Sequence, residues 1–284
     1  MLYSTPTIKV QSPAKINLFL HIVGRRENGY HNLQSIFQLI DLYDDITFIP
    51  TQHDDIHIIG DYGIIQQDNL IYKASQLLKP HAQQICGVDI ILDKKIPMGA
   101  GLGGGSSNAA STLIVLNQLW QCHLTQQQLA DYALQLGADV PFFIYGQNAW
   151  VEGIGEDIQP IELAESDYIL LKPDCFISTQ QLFLQKSLTR DSKISIFSDY
   201  QNQPSQFGNN FQPIAQKLYP EVDEALQFLN QFGQAKLTGT GSCCFVEIDK
   251  KLVDVEQILQ QAPCKAYLVK SLQQSPLINF KLPI

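Results

Sequence analysis

A glycine-rich segment that runs directly into a helix constrains this chain more than any other stretch. Four glycines fall within residues 101–105, and two serines follow at once. Glycines let successive backbone N–H groups point into one concavity, and a helix behind them adds unpaired amides and the positive end of its dipole. The segment therefore predicts a phosphate-binding loop, made of Pro97, Met98, Gly99, Ala100, Gly101, Leu102, Gly103, Gly104, Gly105, Ser106 and Ser107.

The helix behind the loop is predicted from its apolar periodicity. Ala109, Leu113, Leu116 and Trp120 are spaced by four, three and four residues, which is typical of one buried helix face. We expect Ser106 or Ser107 to be the N-cap, and either hydroxyl could also reach a phosphate-bound metal ion. A merely flexible loop is the competing interpretation, but flexibility alone does not require two hydroxyl residues and a periodic helix to follow.

Other phosphate-binding motifs do not fit the segment. Gly99, Gly101 and Gly104 match G-x-G-x-x-G, but the loop lies almost a hundred residues into the chain. A dinucleotide fold would place it near the first strand, with an acidic residue about 20 positions further on, whereas residues 119–124 contain none. The Walker A pattern and the protein-kinase motifs are also missing from the sequence, which argues against those two classes.

Composition narrows the class of partner. The chain has 284 residues, 45% of them hydrophobic and 17% charged, with a net charge of −9. This balance predicts a globular protein with no membrane segment, and the negative charge argues against nucleic acid as a partner. The first six residues lack the features of a signal peptide, and the six cysteines form no C-x-x-C pair. We therefore expect a cytoplasmic protein with free thiols.

Charged and polar side chains on one strand form a first candidate site. Residues 8–22 alternate between apolar and polar positions, which places Lys15 and Asn17 on the same face. A solvated strand face is the competing interpretation. The alternation predicts two sets of side chains, with Ala14, Ile16, Leu18 and Leu20 on one face and Lys15, Asn17, Phe19 and His21 on the other.

Two further candidates lie in short connections. Tyr30 and His31 end a polar turn, where they could stack on and hydrogen-bond a flat heterocycle or pack as half-buried residues. Asp139 follows a helix closed by Gly137 and lies among apolar residues. It could cap a turn or act as a general base.

The order of elements predicts an α+β protein with a domain boundary at about residue 160. Residues 1–160 read as a mixed α/β nucleotide-binding domain, with Asp41, Asp44 and Asp45 at a turn. Residues 161–284 read as a split βαβ, ferredoxin-like domain with a polar loop over residues 191–213. A second glycine cluster, residues 237–242, is either a hairpin turn or a segment that packs against the first loop.

Four segments together resemble a known family. Residues 13–18, 97–110, 137–143 and 237–242 are similar, in that order, to motifs of the small-molecule kinases that include galactokinase, homoserine kinase, mevalonate kinase and phosphomevalonate kinase. The resemblance covers nearly the whole chain. Residues 184–207 match nothing in the family pattern, and Asn209-Asn210 stands where relatives often show Asn-Asp.

The resemblance implies a two-domain α+β fold with the active site in the cleft between the domains. It also implies ATP and Mg²⁺ as cofactors and a small-molecule substrate that carries a cytidine diphosphate group, with the metal ligands unassigned. The chain is expected to be a monomer or a weak homodimer. The implied roles are a catalytic base, Asp139; its partner lysine, Lys15; ATP phosphate binding by residues 97–107; and substrate binding by Asn17, Tyr30, His31, Thr179 and Phe183.

Three other functions stay open at this point. The chain could be another sugar or alcohol kinase of the same family, although Tyr30 and His31 argue for a flat base as part of the substrate. It could be a nucleotide-binding protein without turnover, which the presence of both Lys15 and Asp139 disfavours. The third is a dehydrogenase, disfavoured by the position of the glycine loop.

Overall fold

Two β-sheets, each covered by helices, organise the chain. The structure is a computed structural model that describes residues 7–60, 63–83 and 87–282. The predictions on the first six residues and on the Cys86 thiol lie outside these ranges. The described part contains mixed α/β secondary structure in two sheets, as the sequence predicts.

The first sheet has six strands and occupies the N-terminal part of the chain. Its strand order is β3-β4-β2-β5-β6, with β1 paired to β2, and only the β3–β4 pair is parallel. The strands are β1 (Ile8–Arg25), β2 (His31–Pro50), β3 (Ile56–Ile59), β4 (Val88–Asp93), β5 (Ala149–Gly153) and β6 (Asp157–Pro160). The helices of this part are α1 (Leu70–Leu78), α2 (Gly104–Leu119), α3 (Gln126–Leu136) and α4 (Val140–Tyr145).

The second sheet has four antiparallel strands in the order β10-β7-β9-β8. They are β7 (Asp167–Lys172), β8 (Lys236–Leu237), β9 (Cys244–Ile248) and β10 (Lys265–Lys270). The helices are α5 (Thr179–Phe183), α6 (Phe197–Asn202), α7 (Gln212–Leu218), α8 (Pro220–Leu229) and α9 (Val255–Gln261). Cys243 and Cys244 are both buried, each in a different apolar cluster, because neighbouring strand residues face opposite sides.

The two sheets are in direct contact. Leu20 of β1 forms a bridge with Asn209, and Lys236 Nζ donates to the carbonyl of Leu18. The last described residues return to the first sheet, where Leu277 is buried in its core. The first sheet ends at Pro160 and the second begins at Asp167, while a domain boundary at residue 160 stays a prediction.

Several helix ends follow the sequence signals. Asn69 caps α1 through its side chain, and Thr125 and Gln128 form a capping box at α3, which Gly137 ends. The predicted N-cap of α2 is wrong. Gly103, not Ser106 or Ser107, stands at that position, because its positive φ of 71° turns the chain into the helix. Both serines lie within the first turn.

The predicted turn at Asp41, Asp44 and Asp45 is wrong, because β2 runs unbroken through all three positions. Asp44 is fully buried, and its carboxylate accepts hydrogen bonds from the backbone N–H groups of Lys95 and Ile96. The same carboxylate pairs with Lys94 Nζ at 2.6 Å and accepts from Asn108 Nδ2 at 2.9 Å. Four donors compensate for the lost hydration, so this acidic residue can lie inside a strand.

The predicted alternation of β1 is observed at Lys15 and Asn17. It is interrupted directly after Asn17, so the prediction is wrong for Phe19 and Leu20. A β-bulge between Asn17 and Phe19 shifts the register against β2. Phe19 therefore packs with Ile16, while Leu20 joins Lys15 and Asn17 at one cavity.

In the C-terminal part the predicted element bounds need correction. Apolar periodicity predicts helices over residues 178–186, 225–232 and 252–259, and the structure has α5, α8 and α9 there, with different ends. The expected polar loop over residues 191–213 contains α6 and the first residues of α7. Among the helices that the structure describes, none is long and apolar enough to cross a bilayer.

Candidate active site

The glycine loop has the backbone that its composition predicts. Gly99, Gly101 and Gly103 have φ values of 62°, 78° and 71°, a region that favours glycine. A Cβ atom on Gly101 would overlap the carbonyl oxygen of Thr238, so the second glycine cluster packs directly against the first. Two backbone bonds fix the loop, from Lys15 N to Leu102 O at 3.0 Å and from Cys243 N to Ala100 O at 3.2 Å.

A cavity of about 350 Å³ lies along this loop and the start of α2; we call it the loop cavity. All loop residues from Pro97 to Ser106 line it, together with Asn69, Leu70, Lys94 and Asn108. Ser107 is fully buried, and its hydroxyl has no hydrogen-bond partner among the described residues. The loop cavity thus offers helix N-terminal amides, while the Ser107 hydroxyl beside it has no protein partner.

Lys15 and Asp139 come together from opposite ends of the first sheet's sequence. Lys15 Nζ lies 3.3 Å from Asp139 Oδ2, and Asp139 directly precedes α4. Lys15 is buried, with Nζ 4.5 Å from the centre of the Phe37 ring, whereas the Asp139 side chain is 34% exposed. The ammonium is therefore held in place by its surroundings, and the carboxylate stays open to a cavity.

Asn17 connects this pair to the second glycine cluster. Its Oδ1 accepts from Lys15 Nζ at 2.7 Å, and its Nδ2 donates to Ser35 Oγ at 2.9 Å. Its backbone N–H donates to Thr238 Oγ1 at 3.0 Å. The Asn17 amide is thus fixed from both sides, and it orients the ammonium of Lys15.

A second cavity, of about 250 Å³, opens between the two sheets; we call it the central cavity. It is lined from the first part of the chain by Lys15, Asn17, Ser35, Asp139 and Gly155. From the second part it is lined by Thr179, Phe183, Phe211, Gly239 and Thr240. Thr179 Oγ1 and Thr240 Oγ1 are 2.7 Å apart. Both halves of the chain are therefore needed to form this cavity.

An aromatic groove of about 780 Å³ continues from the central cavity. The ring of His31 stacks on Phe183, with 4.8 Å between centroids and an interplanar angle of 22°. Tyr30 also lines the groove and is 60% exposed, which leaves its ring available for contact. A flat, partly apolar ligand would find two rings and an imidazole here.

The three spaces form a series through shared walls. Gly101 and Gly103 line both the loop cavity and the central cavity. Leu33, Ile154 and Phe183 line both the central cavity and the aromatic groove. The structure thus brings the predicted residues, except the buried Ser107, to the walls of one elongated site, with Lys15 and Asp139 at its middle.

Some residues of this site were missed in the sequence. Arg190 lies against His31, but it falls in the stretch that matched no family pattern. Asp44 holds Lys94 beside the loop cavity. Its sequence signal is that of a turn, because several acidic residues close together are typical of turns. Ser35 and Thr238 hold Asn17, and neither has a local motif that marks it.

Comparison with known proteins gives the family. The model of the GHMP kinase N-terminal domain matches residues 69–147, and that of the GHMP kinase C-terminal domain matches residues 164–268. A relative from Acinetobacter baumannii, a 4-diphosphocytidyl-2-C-methyl-D-erythritol kinase, is 64% identical over 275 residues, which cover 97% of this chain and 99% of the relative. The chain belongs to the GHMP kinase family. The family resemblance predicted from the four segments is confirmed.

Other GHMP kinases extend the comparison. A 4-diphosphocytidyl-2-C-methyl-D-erythritol kinase from Neisseria gonorrhoeae is 46% identical over 272 residues, covering 94% of this chain and 96% of the relative. A crystal structure of 4-(cytidine 5'-diphospho)-2C-methyl-D-erythritol kinase matches with a TM-score of 0.79 and 29% identity, over 93% of this chain and 99% of that one. A mevalonate kinase structure, at a TM-score of 0.67 and 17% identity over 94% of this chain and 100% of that one, shares the fold.

Proposed function

We propose that this GHMP kinase transfers the γ-phosphoryl group of ATP to a hydroxyl of 4-diphosphocytidyl-2-C-methyl-D-erythritol, a step towards isoprenoid precursors. The relatives that share up to 64% identity over nearly the full chain carry this activity in their names. The structural observation that carries the proposal is the Lys15–Asp139 pair, 3.3 Å apart, in a cavity between a glycine loop and an aromatic groove. A phosphate donor bound at the loop and an acceptor that carries a nucleobase would meet at this pair.

Asp139 is the proposed general base. Its partly exposed carboxylate lines the central cavity, where an acceptor hydroxyl would approach within hydrogen-bond distance. Lys15 is the proposed electrostatic partner. Its ammonium, held by Asn17, is placed to stabilise negative charge that develops on the transferred phosphoryl group. Most of the catalysis then comes from positioning and charge stabilisation, since phosphoryl transfer has a loose transition state.

Residues 97–107 are proposed to bind the ATP phosphates. The open backbone at the start of α2 and the unpartnered Ser107 hydroxyl fit phosphate oxygens or a metal ion bound to them. Among the described residues no cluster of three His, Cys, Asp or Glu side chains could hold a metal. Mg²⁺ would enter with the nucleotide phosphates and offset their charge during transfer, and the Ser106 hydroxyl, which lines the loop cavity, or the buried Ser107 hydroxyl next to it would be its protein ligand.

The aromatic groove is proposed to bind the cytosine end of the substrate. Tyr30 and Phe183 offer ring faces for stacking, and His31 offers a hydrogen-bonding edge. Thr179 and Asn17 line the central cavity together with Lys15 and Asp139, and this cavity shares walls with the groove. Two adjoining cavities of this kind suit a long acceptor with a nucleobase at one end.

Finer points of architecture belong to the same proposal. Residues 161–284 would form a ferredoxin-like domain, which the strand order β10-β7-β9-β8 supports, and the active site would be the cleft between it and residues 1–160. A cytoplasmic location and a monomer or weak homodimer stay predictions.

A direct assay tests the proposal. Purified protein is mixed with ATP, Mg²⁺ and 4-diphosphocytidyl-2-C-methyl-D-erythritol, and ADP and the phosphorylated product are measured. Mevalonate, homoserine and galactose serve as alternative acceptors, and NAD binding is measured in parallel. Turnover confined to the cytidylyl substrate is expected. Turnover of another alcohol alone, or nucleotide binding without turnover, would replace the proposal with one of the alternatives.

A further inference from the structure

Arg190 makes an unusual set of contacts at the edge of the aromatic groove. Its Nη2 donates to the carbonyls of Phe183 at 2.7 Å and Gln185 at 3.0 Å, and its Nη1 donates to the carbonyl of Leu188 at 3.0 Å. Its Nε lies 3.2 Å from Nε2 of His31. The guanidinium thus binds three carbonyls of the chain that follows α5 and contacts the imidazole with its Nε–H.

This contact decides which nitrogen of His31 carries the proton. A guanidinium has five N–H donors and no acceptor, so Nε2 of His31 must accept and cannot itself be protonated. The neutral ring then has its hydrogen on Nδ1. Burial, followed by the charges of Arg190 and Arg25, lowers the pKa of His31 below its ordinary value, which also favours the neutral ring.

The other surroundings of the ring leave Nδ1 for a ligand. One face of the imidazole rests on Phe183, which is itself held edge-on by Phe211 at 4.9 Å. No group among the described residues accepts a hydrogen bond from Nδ1, and His31 lines the aromatic groove. The Nδ1–H is therefore a donor without a protein partner, on a ring that lines the groove.

We propose that Arg190 is a positioning residue that fixes the Nδ1–H tautomer of His31 and so makes the groove select cytosine over uracil. This inference rests on the proposed function, because it takes a base-bearing substrate as given. Cytosine has an unprotonated ring nitrogen, N3, which accepts a hydrogen bond, whereas N3 of uracil carries a hydrogen. Two opposed N–H groups leave both donors unpaired, at a cost of about 1–3 kcal/mol, or about 5- to 150-fold in affinity.

Arginine is better suited than lysine to this task. In its planar guanidinium, Nη2 donates to two backbone carbonyls while Nε donates to the imidazole. The guanidinium also stays protonated over the whole pH range in which the enzyme would be assayed. The same three carbonyl bonds fix the position of Phe183, so the stacking surface and the ring tautomer depend on one side chain.

The tautomer can be measured without any substitution. Long-range ¹H–¹⁵N NMR spectra of the full chain labelled at histidine distinguish a protonated from an unprotonated ring nitrogen, and the spectrum of His31→Asn assigns the His31 signals. We expect Nδ1 protonated and Nε2 unprotonated at pH 7.5. A proton on Nε2, or rapid exchange between the two tautomers, would overturn the inference.

Kinetics test the selectivity. Arg190→Met removes the donors and keeps side-chain bulk, and we expect the ratio of kcat/KM for the cytidylyl substrate over its uridylyl analogue to fall about tenfold. The loss should come from KM for the cytidylyl substrate, with kcat changed less than about twofold. Arg190→Lys keeps one donor for Nε2 and should recover most of the ratio. An unchanged ratio in Arg190→Met would contradict the proposal.

Arg25→Met is the matched control for charge. Arg25 acts on His31 through its charge and makes no hydrogen bond to the ring, so its removal should raise the pKa of His31 while the Nδ1–H tautomer stays. KM should change alike for both substrates. A fall in base preference as large as that of Arg190→Met would mean that charge, not the tautomer, sets selectivity.

A double substitution separates a tautomer effect from loosening of residues 183–190. Asparagine at position 31 has an amide donor near the position of Nδ1 and no ring tautomers. In the His31→Asn background, Arg190→Met should therefore change the base preference less than about twofold. A tenfold change there would assign the effect to the chain around Phe183. If neither substrate is phosphorylated by the unsubstituted protein, the proposed function fails, while the NMR result still decides the tautomer.

Discussion

The glycine loop and the aromatic groove are built in opposite ways. The loop is one continuous segment, residues 97–107, and its shape follows from positive φ values at Gly99, Gly101 and Gly103. The groove is assembled from the segment 25–33 between and including the ends of β1 and β2, from Ala138 and Ile154, and from the segment 180–190, which lie far apart in the sequence. A phosphate needs a generic array of backbone donors, whereas a base needs particular side chains in one arrangement.

The difference explains where each region is vulnerable. The loop depends on backbone shape, so a single methyl group at the wrong glycine disrupts it. The groove depends on side chains that hold one another, as Arg190 holds His31 and His31 stacks on Phe183. Changes in the loop should therefore affect ATP use, and changes in the groove should affect the acceptor. The Lys15–Asp139 pair lies between the two regions. Substitutions there should lower kcat and leave the affinities for ATP and for the acceptor unchanged.

The largest effect is expected at that pair. Asp139→Asn keeps the size of the side chain and removes the proposed proton acceptor, so kcat should fall about 10²–10⁴-fold. The melting temperature and the KM values for both substrates should stay close to those of the unsubstituted protein. Near-normal turnover by steady-state assay would remove Asp139 as the base.

The loop is tested by two glycines of the same segment. Gly101→Ala places a methyl group against the carbonyl of Thr238 at a φ of 78°, and we expect KM for ATP to rise at least about tenfold, with about 1–3 kcal/mol lost in stability. Gly105→Ala is the control for stability, because its nearest neighbour would be Leu70 Cδ1 at 3.7 Å, an ordinary contact. Since Gly105 lines the loop cavity, the KM for ATP of this variant is not used as a reference. Nucleotide titration of Gly101→Ala and thermal unfolding of both variants check the prediction. Equal losses of stability in both variants would mean that the loop needs flexibility, not this backbone shape.

The groove is tested by Tyr30→Ala. Tyr30 is 60% exposed, so its loss should scarcely alter folding, but it removes a stacking surface. We expect KM for the cytidylyl substrate to rise about tenfold while KM for ATP stays within about twofold. Steady-state kinetics with each substrate varied in turn give both numbers. An unchanged KM for the acceptor would remove Tyr30 from the groove's function.

The smallest effect is expected from pH. His31 has a pKa below its ordinary value of 6.5, so its neutral form persists as the pH falls to that value. KM for the acceptor should be constant down to pH 6.5 and rise a few-fold only below it, because a proton on Nε2 would face the N–H of Arg190. KM for ATP over the same pH range is the control. A rise in acceptor KM that begins well above pH 6.5 would contradict the assignment.

The sequence predicted the local features of this protein well. The glycine loop and the helix that Gly137 ends follow from short patterns, and the structure has both of them. Patterns failed where a buried partner overrides local preference. Asp44 is read as a turn residue, yet Lys94 and two backbone N–H groups let it lie inside β2.

A similar limit applies to the candidate site. Lys15 and Asn17 share a strand face as predicted, but the β-bulge after Asn17 exchanges the faces on which Phe19 and Leu20 lie. No residue type at this position predicts a bulge. Arg190 lies in a stretch with no periodicity and no motif. Its importance rests on three carbonyls and one imidazole that only the folded chain brings within reach.

The amino-acid sequence alone predicted the glycine loop, the family and most residues of the candidate site, because these predictions depend on which residues are neighbours along the chain. The tertiary structure decided that Lys15 and Asp139 meet at 3.3 Å and that Arg190 faces His31. Contacts between distant segments depend on how the two sheets pack, and packing is a property of the whole core that no single segment encodes.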